Sequence, residues 1–143
     1  MATDDRKDEL KEYMLKEIEV IQDTIKRMAF NSFLIKGWAI TLVVATLLVK
    51  RSNQEAWIAL IPLLLFWVLD AYFLWLERMY RSLYDWVIHN RLNTSDHLFD
   101  MNAHRFSKDV QSRFRIMFSI TLGWFYGGIA LLVVVFSILI QTK

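Results

Sequence analysis

Cysteine is absent from this 143-residue chain, which excludes a disulfide framework, a thiol nucleophile and a thiolate metal site. Proline occurs once, at Pro62, and glycine only four times, so helix breakers are scarce. The formal charge of +2 is too small to mark a nucleic-acid binder by itself. His89, His97 and His104 are spaced 8 and 7 apart, which matches no metal-ligand spacing. There is no nucleophile motif, no phosphate-cradling glycine loop and no pair of carboxylates at a defensible site. The expectation is therefore a protein without catalytic residues, metal or cofactor.

What the chain does have is apolar surface. Hydrophobic residues make up 55% and aromatics 15%, with 6 Trp and 10 Phe, more than a soluble domain of this size could hide. A membrane helix needs roughly 20 predominantly apolar residues. Three segments qualify and predict an all-α, polytopic membrane protein: 33–50, beginning "FLIKGWAITLVVATLLV"; 56–77, beginning "AWIALIPLLLFWVLDAYFLWL"; and 116–141, whose "IMFSITLGWFYGGIALLVVVFSILI" carries no charge. Pro62 falls in the first turns of span two, where a missing backbone donor does least harm. The first 28 residues are charged and helix-like, unlike a short basic leader before an apolar core, so no signal peptide is expected.

Lys and Arg in the short flanks set the orientation. Residues 1–30 carry six and the connection 78–115 carries seven, against Lys50 and Arg51 between the first two spans and Lys143 at the end. The reading is an inner-membrane protein with its N-terminus cytoplasmic and its C-terminus periplasmic. Asn93-Thr94-Ser95 matches a glycosylation sequon that a cytoplasmic loop would never use.

Spans one and two form a hairpin whose tip is expected near Asn53. Lys36 lies 17 residues before that point and Asp70 lies 17 after it, so the two stand at equal depth in an antiparallel pair. Either charge alone would cost about 3 kcal/mol or more at a helix centre, and pairing recovers much of that. Asp70 then locks the hairpin, or lines a water-filled path and sets gating or cation preference, or relays protons. No second intramembrane carboxylate or histidine extends a relay.

Leu10, Met14, Ile18, Ile21, Ile25 and Met28 recur at spacings of 4, 4, 3, 4 and 3, which traces one face of an amphipathic helix within 1–30. That stripe predicts burial against the second connection or against the same helix of another copy. Span two is expected to continue through "ERMYRSLYDWVIHNRL", with Glu77, Arg81 and Asp85 as an ion-pair ladder. "NTSD" (93–96) is a break at which Ser95 or Asp96 could cap the next helix, and 106–115 is expected to run as helix straight into span three. Seven basic residues of the connection, Arg78, Arg81, Arg91, Arg105, Lys108, Arg113 and Arg115, are either ordinary positive-inside flanking or a ligand face. The ligand would be a lipid headgroup, a nucleotide or a short oligonucleotide, and an oligomer would multiply the patch.

Ser119, Gly123 and Gly127, with Gly128 beside them, form a small-xxx-small ladder on span three, suited to packing within the chain or between copies. Beyond hydropathy, "FLIKGWAITLVVA" and "FWVLDAYFLWLERMYRSLYDWV" carry Lys-Gly-Trp and Leu-Asp-Ala-Tyr motifs. Over roughly residues 30–88 they resemble small bacterial inner-membrane proteins that include the membrane effector of the Hailong anti-phage defence system. Lys36, Gly37, Trp38, Asp70 and Tyr72 are the matching positions. The resemblance implies a homo-oligomeric pore, controlled at its cytoplasmic face by an oligonucleotide that a nucleotidyltransferase makes. The competing expectation is a non-conducting anchor or scaffold that recruits a cytoplasmic partner through the N-terminal helix.

Overall fold

The computed structural model describes residues 2–49 and 57–141, with side chains for 6–49 and 57–139. The hairpin tip at Asn53 lies outside the described residues. Among these residues the protein is all-helical, without strands: α1 (Ala2–Val49), α2 (Leu60–Asn90), a 3-10 turn (Ala103–Phe106), α3 (Arg113–Met117) and α4 (Ile120–Gln141). The first, second and fourth helices each contain a segment long and apolar enough to cross a membrane.

Where the sequence divides an amphipathic helix (1–30) from a first span (33–50), the structure has one 48-residue helix. No glycine or proline occurs before Gly37, so nothing interrupts the i to i−4 ladder there. Likewise α2 runs on unbroken past the span to Asn90.

The contacts resolve into two compact units. A polar unit comprises Met1–Ala29 and Trp75–Gln111, and an apolar unit comprises Phe30–Leu74 and Ser112–Lys143.

In the polar unit, Met79, Leu83 and Val87 recur every fourth residue and are buried, as are Leu10 and Ile21 of the N-terminal stripe. Tyr13 meets Phe99 edge-on at 5.7 Å, and Gln22 donates to the Tyr84 hydroxyl. Two stripe residues are thus buried within the chain, and the neighbouring Tyr13 and Gln22 contact the second connection. The unit is pinned by a fully buried ion pair. Arg91 Nε and Nη2 donate to the two Glu17 carboxylate oxygens at 2.6 and 2.9 Å, and both residues are almost wholly enclosed.

The remaining donors of Arg91 reach three loop carbonyls, those of Thr94, Asp96 and His97. Glu17 also accepts the Phe99 N–H at 2.7 Å. His97 and Phe99 both have φ of 55°, a left-handed conformation that costs an L-residue roughly 1–2 kcal/mol. Each touches the Glu17–Arg91 pair through its backbone, so the pair is what holds the strained turn. Ser95 and Asp96 cap no helix here. The caps beyond the turn are Asn102, for the 3-10 turn, and Ser112, for α3.

In the apolar unit, a core of Ala39, Val43, Ala59, Leu63, Ala71, Leu122, Tyr126 and Val133 draws on α1, the segment around the start of α2, and α4. Three of these are alanines, which let helix backbones approach closely where no hydrophobic effect drives them together. The helix expected to enter span three without interruption is instead broken. Residues 107–112 are not helical, α3 ends at Met117, and α4 begins only at Ile120. At the break between α3 and α4 the Trp67 indole N–H donates to the Met117 carbonyl at 2.8 Å. It takes the place of an i+4 amide and satisfies a group that hydrocarbon could not.

Arg91→Lys should therefore release the 92–100 turn, because an ammonium cannot reproduce a planar fork to a carboxylate and three carbonyls. We expect the Phe99 amide to exchange with solvent about a hundredfold faster, corresponding to about 2.7 kcal/mol. An unchanged Phe99 rate in hydrogen-exchange mass spectrometry would show that the turn holds itself.

Candidate functional site

Asp70 is fully buried in the apolar unit, and α2 delivers it to a cluster of polar partners from α1 and α4. Lys36 Nζ lies 2.6 Å from its Oδ2. Ser32, one turn before Lys36, donates to Oδ1 and itself accepts from Lys36 Nζ at 2.7 Å. The Tyr126 hydroxyl lies 3.1 Å from Oδ2 and 3.3 Å from the Phe66 carbonyl. A hydroxyl has one proton, and the charged oxygen is the stronger acceptor, so its bond goes mainly to Asp70.

The lysine is also 6.0 Å from the Phe125 ring centroid, and its side chain keeps 24% of its exposure against none for Asp70. Both carboxylate oxygens are thus engaged from two other helices. Chemically, the cluster joins three helices through one ion pair and two hydroxyls. Residue counting finds Lys36 and Asp70, but it misses Ser32 and Tyr126. Ser32 was discoverable from its i−4 relation to Lys36.

The seven basic residues divide between the two units. Arg113 and Arg115 belong to the apolar unit, and the other five belong to the polar unit. Arg91 is not a ligand contact: it has no exposure, and Glu17 and the loop carbonyls occupy its guanidinium. Arg105 is also withdrawn from any open face. It lies over the Trp86 ring at 4.5 Å and the Phe106 ring at 5.0 Å, with its guanidinium nitrogens shut from solvent. Arg91 shares Trp86 with it, at 5.2 Å.

Arg78 donates to Gln111, and Arg81 pairs with Glu77 rather than completing a ladder to Asp85. Arg81 also lines a polar cleft of about 340 Å³ with Gln22, Ile25, Tyr84 and Asp85. Lys108, Arg113 and Arg115 are exposed, and the Arg113 guanidinium lies 5.7 Å from the Tyr72 ring centroid.

Glu17 is the polar-unit residue that sequence reading missed. Its signal was present: positions 10, 14, 17, 21, 24 and 28 form a 4-3-4-3-4 series in which Glu17 and Thr24 take inward places, and both are buried.

Ser119, just before α4, and Gly123, Gly127 and Gly128 on it all line one groove of about 460 Å³, flanked by Phe118, Ile120, Trp124 and Leu131. A Cβ added at Gly127 or Gly128 would meet nothing within 4 Å, and at Gly123 only the Phe118 backbone at 3.9 Å. The glycines therefore fill no packing need inside the chain. Among the described residues, no group of three or more His, Asp or Glu could hold a metal ion.

Asp70→Asn should destabilise the folded chain in detergent by about 3 kcal/mol, because Lys36 keeps its charge and loses its counter-ion. Tyr126→Phe should cost only about 1 kcal/mol, the net worth of a hydrogen bond. Adding Lys36→Met to Asp70→Asn should recover part of the loss. Strictly additive costs in that cycle, measured by denaturant unfolding in micelles, would show that the pair contributes no coupling.

Comparison of the chain with protein-family models, with curated proteins and with solved structures returned no match.

Proposed function

We propose that this chain is a bacterial inner-membrane effector that self-associates through α4 and permeabilises the bilayer under cytoplasmic control by a nucleotide or short oligonucleotide. The observation that carries this reading is the open small-residue groove on α4. Its glycines serve no neighbour in the chain, and such faces are how membrane helices approach one another. Only 22% of the most apolar window of each span is buried within the chain, so a single copy leaves most of its apolar surface for lipid or for other copies.

The basic excess in 1–30 and 78–115 supports a cytoplasmic polar unit with a periplasmic C-terminus. Within that excess, Lys108 is the exposed polar-unit residue we assign to ligand contact, with Arg81 and its cleft in the same unit. Asp70 serves the hairpin rather than the permeation path, since it is fully buried with both oxygens engaged. The resemblance of residues 30–88 to the Hailong membrane effector agrees with this assignment. A non-conducting anchor recruiting its partner through the N-terminal stripe draws no support from the polar unit, where Leu10 and Ile21 of that stripe are buried.

Flux from liposomes holding the purified chain tests the reading. Dye and ion release should occur and should change, in either direction, when short oligonucleotides are added. Gly127→Leu should weaken association about tenfold, equivalent to about 1.4 kcal/mol, and reduce flux with it. Lys108→Glu with Arg81→Glu should leave association intact and remove the oligonucleotide effect. A folded oligomer with no flux under any condition would sink the proposal and leave an anchor.

A further inference from the structure

The polar cleft beside Arg81 holds a charge that its own walls leave unanswered. Gln22 and Ile25 of α1 and Arg81, Tyr84 and Asp85 of α2 line it, all within the polar unit. Arg81 commits Nε and Nη2 to one Glu77 oxygen, at 2.9 and 2.6 Å, which leaves Nη1 as its spare donor. Asp85, one turn further along α2, is exposed, and among the described residues its carboxylate makes no ion pair and accepts no hydrogen bond. The Tyr84 hydroxyl accepts from Gln22 Nε2 at 3.3 Å, so its own proton remains available.

We propose that this cleft is a base-reading site for guanine. The inference rests on the proposal of nucleotide control and names the base that such a signal carries. Charge sets the character of the occupant. A cation drawn to Asp85 would lie beside Arg81, and an anion drawn to Arg81 would meet Asp85 and Glu77. A neutral, planar group with donors and acceptors along one edge answers both sides, and a nucleobase is such a group. At about 340 Å³ the cleft is at the small end of ligand pockets, which suits one base rather than a strand of several.

The pattern of donors selects the base. An ionised carboxylate only accepts hydrogen bonds. The pairing edge of guanine sets two donors side by side, N1–H and the 2-amino group, which the two Asp85 oxygens can take together. Adenine and cytosine place a ring acceptor beside their amino group, so one Asp85 oxygen would face a lone pair. Thymine and uracil offer a single donor between two carbonyls. The remaining group on the guanine edge is O6, an acceptor, and Arg81 stands one turn from Asp85 on the same helix face with Nη1 to donate. The Tyr84 ring and Ile25 give the cleft aromatic and aliphatic surface for the faces of the base.

Equilibrium dialysis of the monophosphates of guanosine, inosine, adenosine and xanthosine against the full chain in micelles tests this. Guanosine monophosphate should bind about tenfold more tightly than the inosine or adenosine compound, within the range of one bidentate base contact. Asp85→Asn changes an exposed side chain and should leave the fold intact. The asparagine presents one acceptor and one donor, the complement of the N1–H and C2 carbonyl of xanthine. It should therefore exchange the preference, placing xanthosine monophosphate about tenfold ahead of guanosine monophosphate. An Asp85 that served only the fold or the local charge would produce no such exchange. Equal binding of all four by the unaltered chain, or a guanine preference that survives Asp85→Asn, would overturn the base-reading site and leave nucleotide control standing. Binding of none of them would overturn both.

Discussion

The need to neutralise one buried carboxylate organises the apolar unit. Asp70 has no exposure, and a charge at that depth is tolerated only with a counter-ion and with its lone pairs engaged. Three helices meet those terms: α2 carries the acid, α1 the ammonium and a hydroxyl, and α4 the phenol. Sliding any of these helices by one turn, about 5.4 Å, would break a bond for which hydrocarbon has no substitute. Apolar packing tolerates such a slide far better, because lipid tails are as apolar as leucine. The register of the three spans is therefore an electrostatic matter, and the alanine-rich core follows from it.

The polar unit repeats the solution under different conditions. Glu17 and Arg91 are as enclosed as Asp70, yet their outer partners are backbone groups of a turn rather than side chains of a third helix. A planar guanidinium suits this task, since it can face a carboxylate and several carbonyls at once. Lysine suits Asp70 for the opposite reason: a compact charge on a flexible stem can bond the acid and Ser32 while keeping part of its stem at the surface. The two ion pairs thus use different cations because one organises a strained turn and the other a seam between helices.

Three spans could be read from length and apolarity alone, because bilayer thickness is a hard external ruler. Unbroken α1 follows from the absence of glycine and proline before Gly37. Counting outward from Asn53 puts Lys36 and Asp70 at one level, and in the structure they touch. Composition could not say which of the seven basic residues are spent internally, because an arginine in a solvated face and one in a buried fork look alike until a partner is found. Arg91 needed Glu17, 74 residues away. The break between α3 and α4 was hidden in the same way, since the indole that bonds its Met117 carbonyl lies 50 residues distant. What remained illegible was thus long-range and polar, save the Lys36–Asp70 pair, which the symmetry of a hairpin places at one depth.

These two buried networks narrow the choice of surface for function. Residues committed to Asp70 or to Arg91 cannot respond to a ligand without surrendering the packing they hold. Regulation and assembly therefore fall to groups outside both networks. In the apolar unit these are two grooves of contrasting character. One, on α4, exposes small residues along its floor; the other, between α2 and α3, is walled by long apolar side chains. Because the two grooves share no lining residue, a substitution in one leaves the walls of the other in place.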